Sequence, residues 1–103
     1  MTLNAVFMFV APEADTEKHR TVVETPGVRL TVVGVNNYLE AEKVAKELTD
    51  QGATIIELCA GFGNEGVAVV NNAVKNKAVV GVVRFDRHPG LGFKSGDDIP
   101  SFL

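Results

Sequence analysis

The feature that most restricts this chain is the recurrence of four short apolar runs, at residues 5–10, 28–35, 53–59 and 78–85, rich in Val, Ile and Phe. Runs that are apolar at consecutive rather than alternate positions have the pattern of strands buried on both faces, the habit of parallel sheets. The segments between them read as helices. Residues 38–51 carry Ala41, Val44, Ala45 and Leu48 on one stripe, with Glu40, Glu42, Lys43, Lys46 and Glu47 outside it. Asn37 and Glu40 resemble a capping box at its start, and Gly52 supplies a stop. Residues 64–75 place Val67, Val70, Ala73 and Val74 on one side. A first, shorter helix is expected over 15–24, with Asp15 as N-cap, Val22 and Val23 towards the sheet, and an end at Thr25-Pro26-Gly27.

The expected fold is α/β, a small single-layer, largely parallel four-stranded sheet in βαβαβαβ order with right-handed crossovers. A flavodoxin-like, doubly wound arrangement and a half-barrel-like one both fit. Residues 1–88 would form the one domain, and the Gly- and Pro-rich tail, 89–103, would pack on it or on a partner. At 103 residues, a domain buries only about two thirds of its unfolded surface. Three helices and a tail scarcely cover both faces of a parallel sheet, so a homo-oligomer is expected.

Charge and cysteine content narrow the partners. A net charge of −3 without a basic cluster speaks against a nucleic-acid groove. The first apolar run is far shorter than a membrane span and has no basic residue before it, so neither membrane insertion nor a signal peptide is expected. The single cysteine, Cys59, excludes an internal disulfide and points to a reduced, cytoplasmic setting.

Polar residues gather where strands end: Glu13, Asp15 and His19 after the first run, Asn36, Asn37 and Tyr38 after the second, 61–65 after the third, and Asp86, Arg87 and His88 after the fourth. Ligands of α/β sheets bind at such ends, although caps and turns also use these residue types. Gly61-Phe62-Gly63-Asn64-Glu65-Gly66 matches GxGxxG between a strand and a helix, with Asp86 downstream. Glu65 would put a negative charge into the cradle and only one strand follows, which favours a small anion or a plain tight turn over a dinucleotide.

Glu57 and Arg84 stand inside apolar runs, where an unpaired charge is costly, so they are expected to face each other. The functional alternative makes Arg84 a clamp for a carboxylate or phosphate and Glu57 a proton acceptor. Cys59 shares the parity of Glu57, and His88 or the following helix would favour its thiolate. The candidate catalytic residues are therefore Glu57, Cys59 and His88, and the candidate ligand-binding residues Gly61, Gly63, Asn64, Arg84 and Asp86. His19, His88, Glu57 and Asp86 have no metal-ligand spacing, and no motif fixes a cofactor.

These same stretches carry a resemblance: Ala11-Pro12 with Asp15 and His19-Arg20, Val33-Gly34-Val35, Ile56-Glu57-Leu58-Cys59 through Gly63, and Val82 through Asp86 with His88-Pro89. Across most of its length the chain resembles a family of short prokaryotic proteins known as a domain of unknown function. The resemblance implies a small cytoplasmic α/β protein and brings no activity, cofactor or catalytic residue. Three functions are thus open: a small-anion-binding protein or enzyme, a non-catalytic assembly module using the sheet edge, Phe93 and Phe102-Leu103, and a nucleotide-binding module.

Overall fold

A computed structural model describes residues 2–103. Its elements are β1 (Leu3–Val10), β2 (Arg20–Glu24), β3 (Val28–Val35), α1 (Tyr38–Asp50), β4 (Ile55–Leu58), α2 (Asn64–Ala73) and β5 (Val79–Val82). The five strands form one mixed sheet in the order β2-β3-β1-β4-β5. β3, β1, β4 and β5 run parallel, and β2 pairs antiparallel with β3 at the edge. The expected four-stranded βαβαβαβ sheet is therefore corrected to five strands and two helices.

The error lies in residues 15–24. Asp15 does cap a turn, its Oδ1 accepting from the N–H of Glu17 at 2.8 Å and of Lys18 at 3.0 Å. One turn is all it caps: the His19 N–H closes on the Asp15 carbonyl at 2.8 Å, and the chain then extends. Thr21, Val22 and Val23 are β-branched, stiff at χ1 and better suited to a pleated strand. The supposed helix stop, Thr25-Pro26-Gly27, is the tip of the β2–β3 hairpin, closed by Thr25 N–H to the Val28 carbonyl at 2.8 Å and Val28 N–H to Thr25 Oγ1 at 3.0 Å.

Both helices lie on the same side of the sheet. Val6, Met8, Val10, Val33, Val35, Ile56 and Leu58 point into one core with Ala41, Val44, Ala45 and Leu48 of α1 and with Val70 and Val74 at α2. This is a two-layer arrangement and not a doubly wound one. The tail, in three short 3₁₀ turns, folds back over the same side and buries Phe102 completely. Its ring lies 6.4 Å from that of Tyr38, which stacks on Phe62 at 5.8 Å.

The opposite face of the sheet carries no helix. Parallel register places residues in rows across it: Val23, Leu30, Ala5, Ile55 and Val79 form one row, and Thr21, Val32, Phe7, Glu57 and Gly81 the next. Phe9 follows beside Gly34, where its ring occupies the space a side chain on that glycine would need. This face is almost wholly apolar, with Glu57 as its one charged strand residue.

Candidate functional site

At the C-terminal ends of the strands, the glycine-rich turn is filled from within the chain. The Asp97 carboxylate accepts from Glu65 N–H at 2.9 Å, Gly66 N–H at 3.3 Å and Tyr38 Oη–H at 2.7 Å. The N–H groups at the start of α2, which an incoming anion would use, thus hold a carboxylate of the tail. Gly63 is needed because a Cβ there would overlap Asp97 and Ser95, and Gly66 because one would strike the Tyr38 ring. A Cβ on Gly96 would overlap the Gly61 carbonyl. These glycines let the tail lie directly on the turn.

Tyr38 links both parts, donating to Asp97 and accepting the Gly63 N–H at 3.2 Å. Burial drives its hydroxyl pKa well above the usual phenol value; the Gly63 N–H opposes this and the Asp97 carboxylate adds to it.

Of the other expected site residues, Asn64, Arg84 and Asp86 come together, and no hydrogen bond joins Glu57, Cys59 or His88 to them. Glu57 and Arg84 form no ion pair: Gly81 stands opposite Glu57, and Arg84 lies beyond the end of β5. The two charges are exposed, so neither needs the other as a buried partner. Arg84 instead donates from Nε to Asn64 Oδ1 at 3.1 Å and from Nη1 to Asp86 Oδ1 at 2.8 Å. Cys59 follows β4, packs against the helix-side core, and accepts the Gly61 N–H at 3.3 Å through Sγ. It therefore does not share the cavity beside Glu57, which lies on the other face. His88 caps the turn at 89–91, its Nδ1 accepting from Gly90 N–H at 2.9 Å, and its ring lies 5.2 Å from Phe85.

Two hollows flank the central row of the open face. One, of about 180 Å³, is lined by Phe7, Glu57, Leu58, Gly81, Val82 and Val83. The other, of about 280 Å³, is lined by Phe9, Thr21, Val32 and the segment Lys18-His19-Arg20. An acidic hollow sits on one side of β1, a basic one on the other. Sequence reasoning missed this pair because Phe7, Lys18 and Val32 look like ordinary strand and loop residues, and only the register brings them together.

A third depression, about 410 Å³, is bordered by Glu13, Asp15, Glu17, Asn36 and Glu40. Glu40 Oε1 takes the Asn36 N–H at 3.0 Å, while Asn37 Oδ1 takes the Glu40 N–H at 2.8 Å. Among the described residues, no three acidic, His or Cys groups come together as a metal centre. No described helix is long and apolar enough to cross a membrane.

A family of unknown function, DUF6506, matches residues 3–98 of the 103. The chain belongs to this family. Membership in DUF6506 covers all five strands, both helices and the segment with Asp97, so the tail's closure over the glycine-rich turn lies within the family's span. No curated protein and no solved structure matches the chain.

Proposed function

We propose that this DUF6506 protein is an assembly module that works through the open face of its sheet. The observation that carries the reading is one-sided cover. Three of the four strand pairings are parallel, yet both helices and the tail lie on one side. Parallel sheets belong to folds with both faces covered, and a contiguous apolar face is an interaction surface. Val23 is 52% exposed and Val79 73%, at opposite edges of one apolar row. The reading takes the protein as cytoplasmic, in keeping with its free cysteine.

Hydroxyl-radical footprinting tests it. Phe7 and Phe9 are half-buried within one chain, so the informative comparison is between variants: if the face is covered in solution, both label more quickly once Val23→Lys and Val79→Lys are introduced together, while the exposed Phe93 does not change. Labelling of Phe7 and Phe9 that the double variant leaves unchanged would end the reading.

The small-carboxylate or phosphate reading has one supporting observation, the exposed Arg84 guanidinium held by Asn64 and Asp86. It predicts calorimetric binding of inorganic phosphate that is lost in Arg84→Ala; no heat at millimolar phosphate would remove it.

A further inference from the structure

We infer that the occupant of the open face is a second copy of this chain, related by a two-fold axis that lies between the two sheets, parallel to the strands and over β1. The inference rests on the reading of that face as the working surface, and three observations select the second copy and its orientation.

The first is size. With strands about 4.8 Å apart and a rise of about 3.3 Å per residue, the five strands present a flat footprint of about 450 Å². Two copies would bury about 900 Å² before side-chain relief and the flanking loops add to it, close to the ~1,000 Å² a specific interface needs.

The second is symmetry. β1 is the central strand of the five, and Phe7 is the middle residue of the row Thr21, Val32, Phe7, Glu57, Gly81. An axis parallel to the strands over β1 lays this row on its own reverse. Phe7 then meets Phe7, an aromatic contact at the interface centre, and the two sheets pack with strands nearly aligned.

The third is charge. The same operation carries Glu57 of one copy over Val32 of the other, at the hollow bordered by Lys18 and His19. Because the interface is isologous, the contact occurs twice. Gly81 and Thr21, the smallest members of the row, fall opposite each other at its ends. A two-fold axis across the strands through this row would set Glu57 against Glu57, so charge discriminates between the two arrangements.

Sedimentation equilibrium on the intact chain tests the inference. The expected mass is twice 11.0 kDa. Glu57→Lys alone and Lys18→Glu alone each set like charges against each other at both contacts and should weaken association on the order of tenfold or more. Mixing the two variants in equal amounts restores opposite charges at both contacts, so two weak self-associators should form a heterodimer. Both positions are exposed, and circular dichroism checks that each variant is folded. Val23→Lys with Val79→Lys, also at exposed sites, should dissociate the pair without a charge swap. A monomer in which Val23→Lys with Val79→Lys still speeds the labelling of Phe7 and Phe9 would overturn the second copy while leaving the face as a working surface. Labelling of those rings that the double variant leaves unchanged would overturn the underlying reading itself. A dimer indifferent to Glu57→Lys and Lys18→Glu, or a mixture that fails to associate, would overturn the proposed axis.

Discussion

Asp97→Ala is the perturbation that best tests how the tail is held. The carboxylate receives two hydrogen bonds of good length, from Glu65 N–H at 2.9 Å and Tyr38 Oη–H at 2.7 Å, and a longer one from Gly66 N–H at 3.3 Å. Bonds to a charged acceptor contribute about 1.5–3 kcal/mol each when both groups are withdrawn from water. A carboxylate at a helix N-terminus adds about 0.3–1 kcal/mol. Glu65 is exposed and its N–H regains water in the variant, whereas Tyr38 and Gly66 are buried and do not. The expected loss is therefore about 2–4 kcal/mol, most of it from Tyr38 and Gly66. For a domain of this size it lowers the melting midpoint by roughly 10–25 °C. Urea denaturation followed by far-ultraviolet circular dichroism, at one fixed protein concentration, measures it. Asp97→Asn keeps an acceptor for Tyr38 and loses the charge, so it should fall between the two. Acetate, which supplies the missing carboxylate, should stabilise Asp97→Ala more than the parent protein. A loss below about 0.5 kcal/mol, the scatter of ordinary surface changes, would refute the argument that the carboxylate holds the tail on the turn.

Gly96→Ala should cost about 1–3 kcal/mol, because its Cβ would overlap the Gly61 carbonyl and backbone cannot rotate away. Gly27→Ala, at the hairpin tip with nothing near its Cβ, should leave the melting temperature unchanged or slightly raised. Tyr38 is the chain's one tyrosine, so absorbance near the phenolate band reports it alone. Its folded pKa is raised, so its contribution is complete below the unfolded value near about 10 and is lost as pH rises beyond that. Phenolate should therefore appear only together with unfolding; ionisation near the ordinary phenol pH in a folded chain would contradict this. Asp15 is shifted the other way, its carboxyl held below the ordinary value by the N–H groups of Lys18 and Glu17. Its contribution is present above the unfolded pKa near about 3.9 and lost as pH falls through the lower folded one. The amide resonances of Glu17 and Lys18 should move together in that window.

What was legible in the sequence was local. β3 runs from Val28 to Val35 as expected, because its apolar run is bounded by the Pro26-Gly27 turn and by Asn36-Asn37. α1 begins at Tyr38 because Asn37 caps it, and it stops just before Gly52, which adopts φ 105°. β2 was misread because Asp15 does start a helical turn, and nothing within that segment says that the turn will not continue. The Glu57–Arg84 expectation required a register that only the sheet sets: Leu58 meets Val82, which leaves Arg84 past the last pair. Asp97 lies more than thirty residues from the turn it fills, in a tail whose Gly and Pro content reads as a loop. Its one local clue was Ser95-Gly96-Asp97, a capping serine and a small residue beside an acid, and the serine does accept the Asp97 N–H at 3.1 Å.

The apolar runs, which supplied four of the five strands, also say most about the sheet. The runs are apolar at successive positions, which is the mark of strands covered on both faces, and within the chain only one face is covered. In β1, Val6, Met8 and Val10 meet the helices while Leu3, Ala5, Phe7 and Phe9 alternate with them on the open side. In β3, Val33 and Val35 face the helices while Val28, Leu30 and Val32 do not. A sheet with one side in water alternates apolar with polar residues, the apolar ones towards the core. From Ala5 to Val10 β1 lacks that alternation, and the first half of β3 has it reversed, with Val28, Leu30 and Val32 on the open side and Arg29 and Thr31 between them on the other. Their composition is that of a sheet between two layers, and the chain supplies one. The proposed second copy would resolve the mismatch, and the acidic and basic hollows on either side of Phe7 would give that cover its direction.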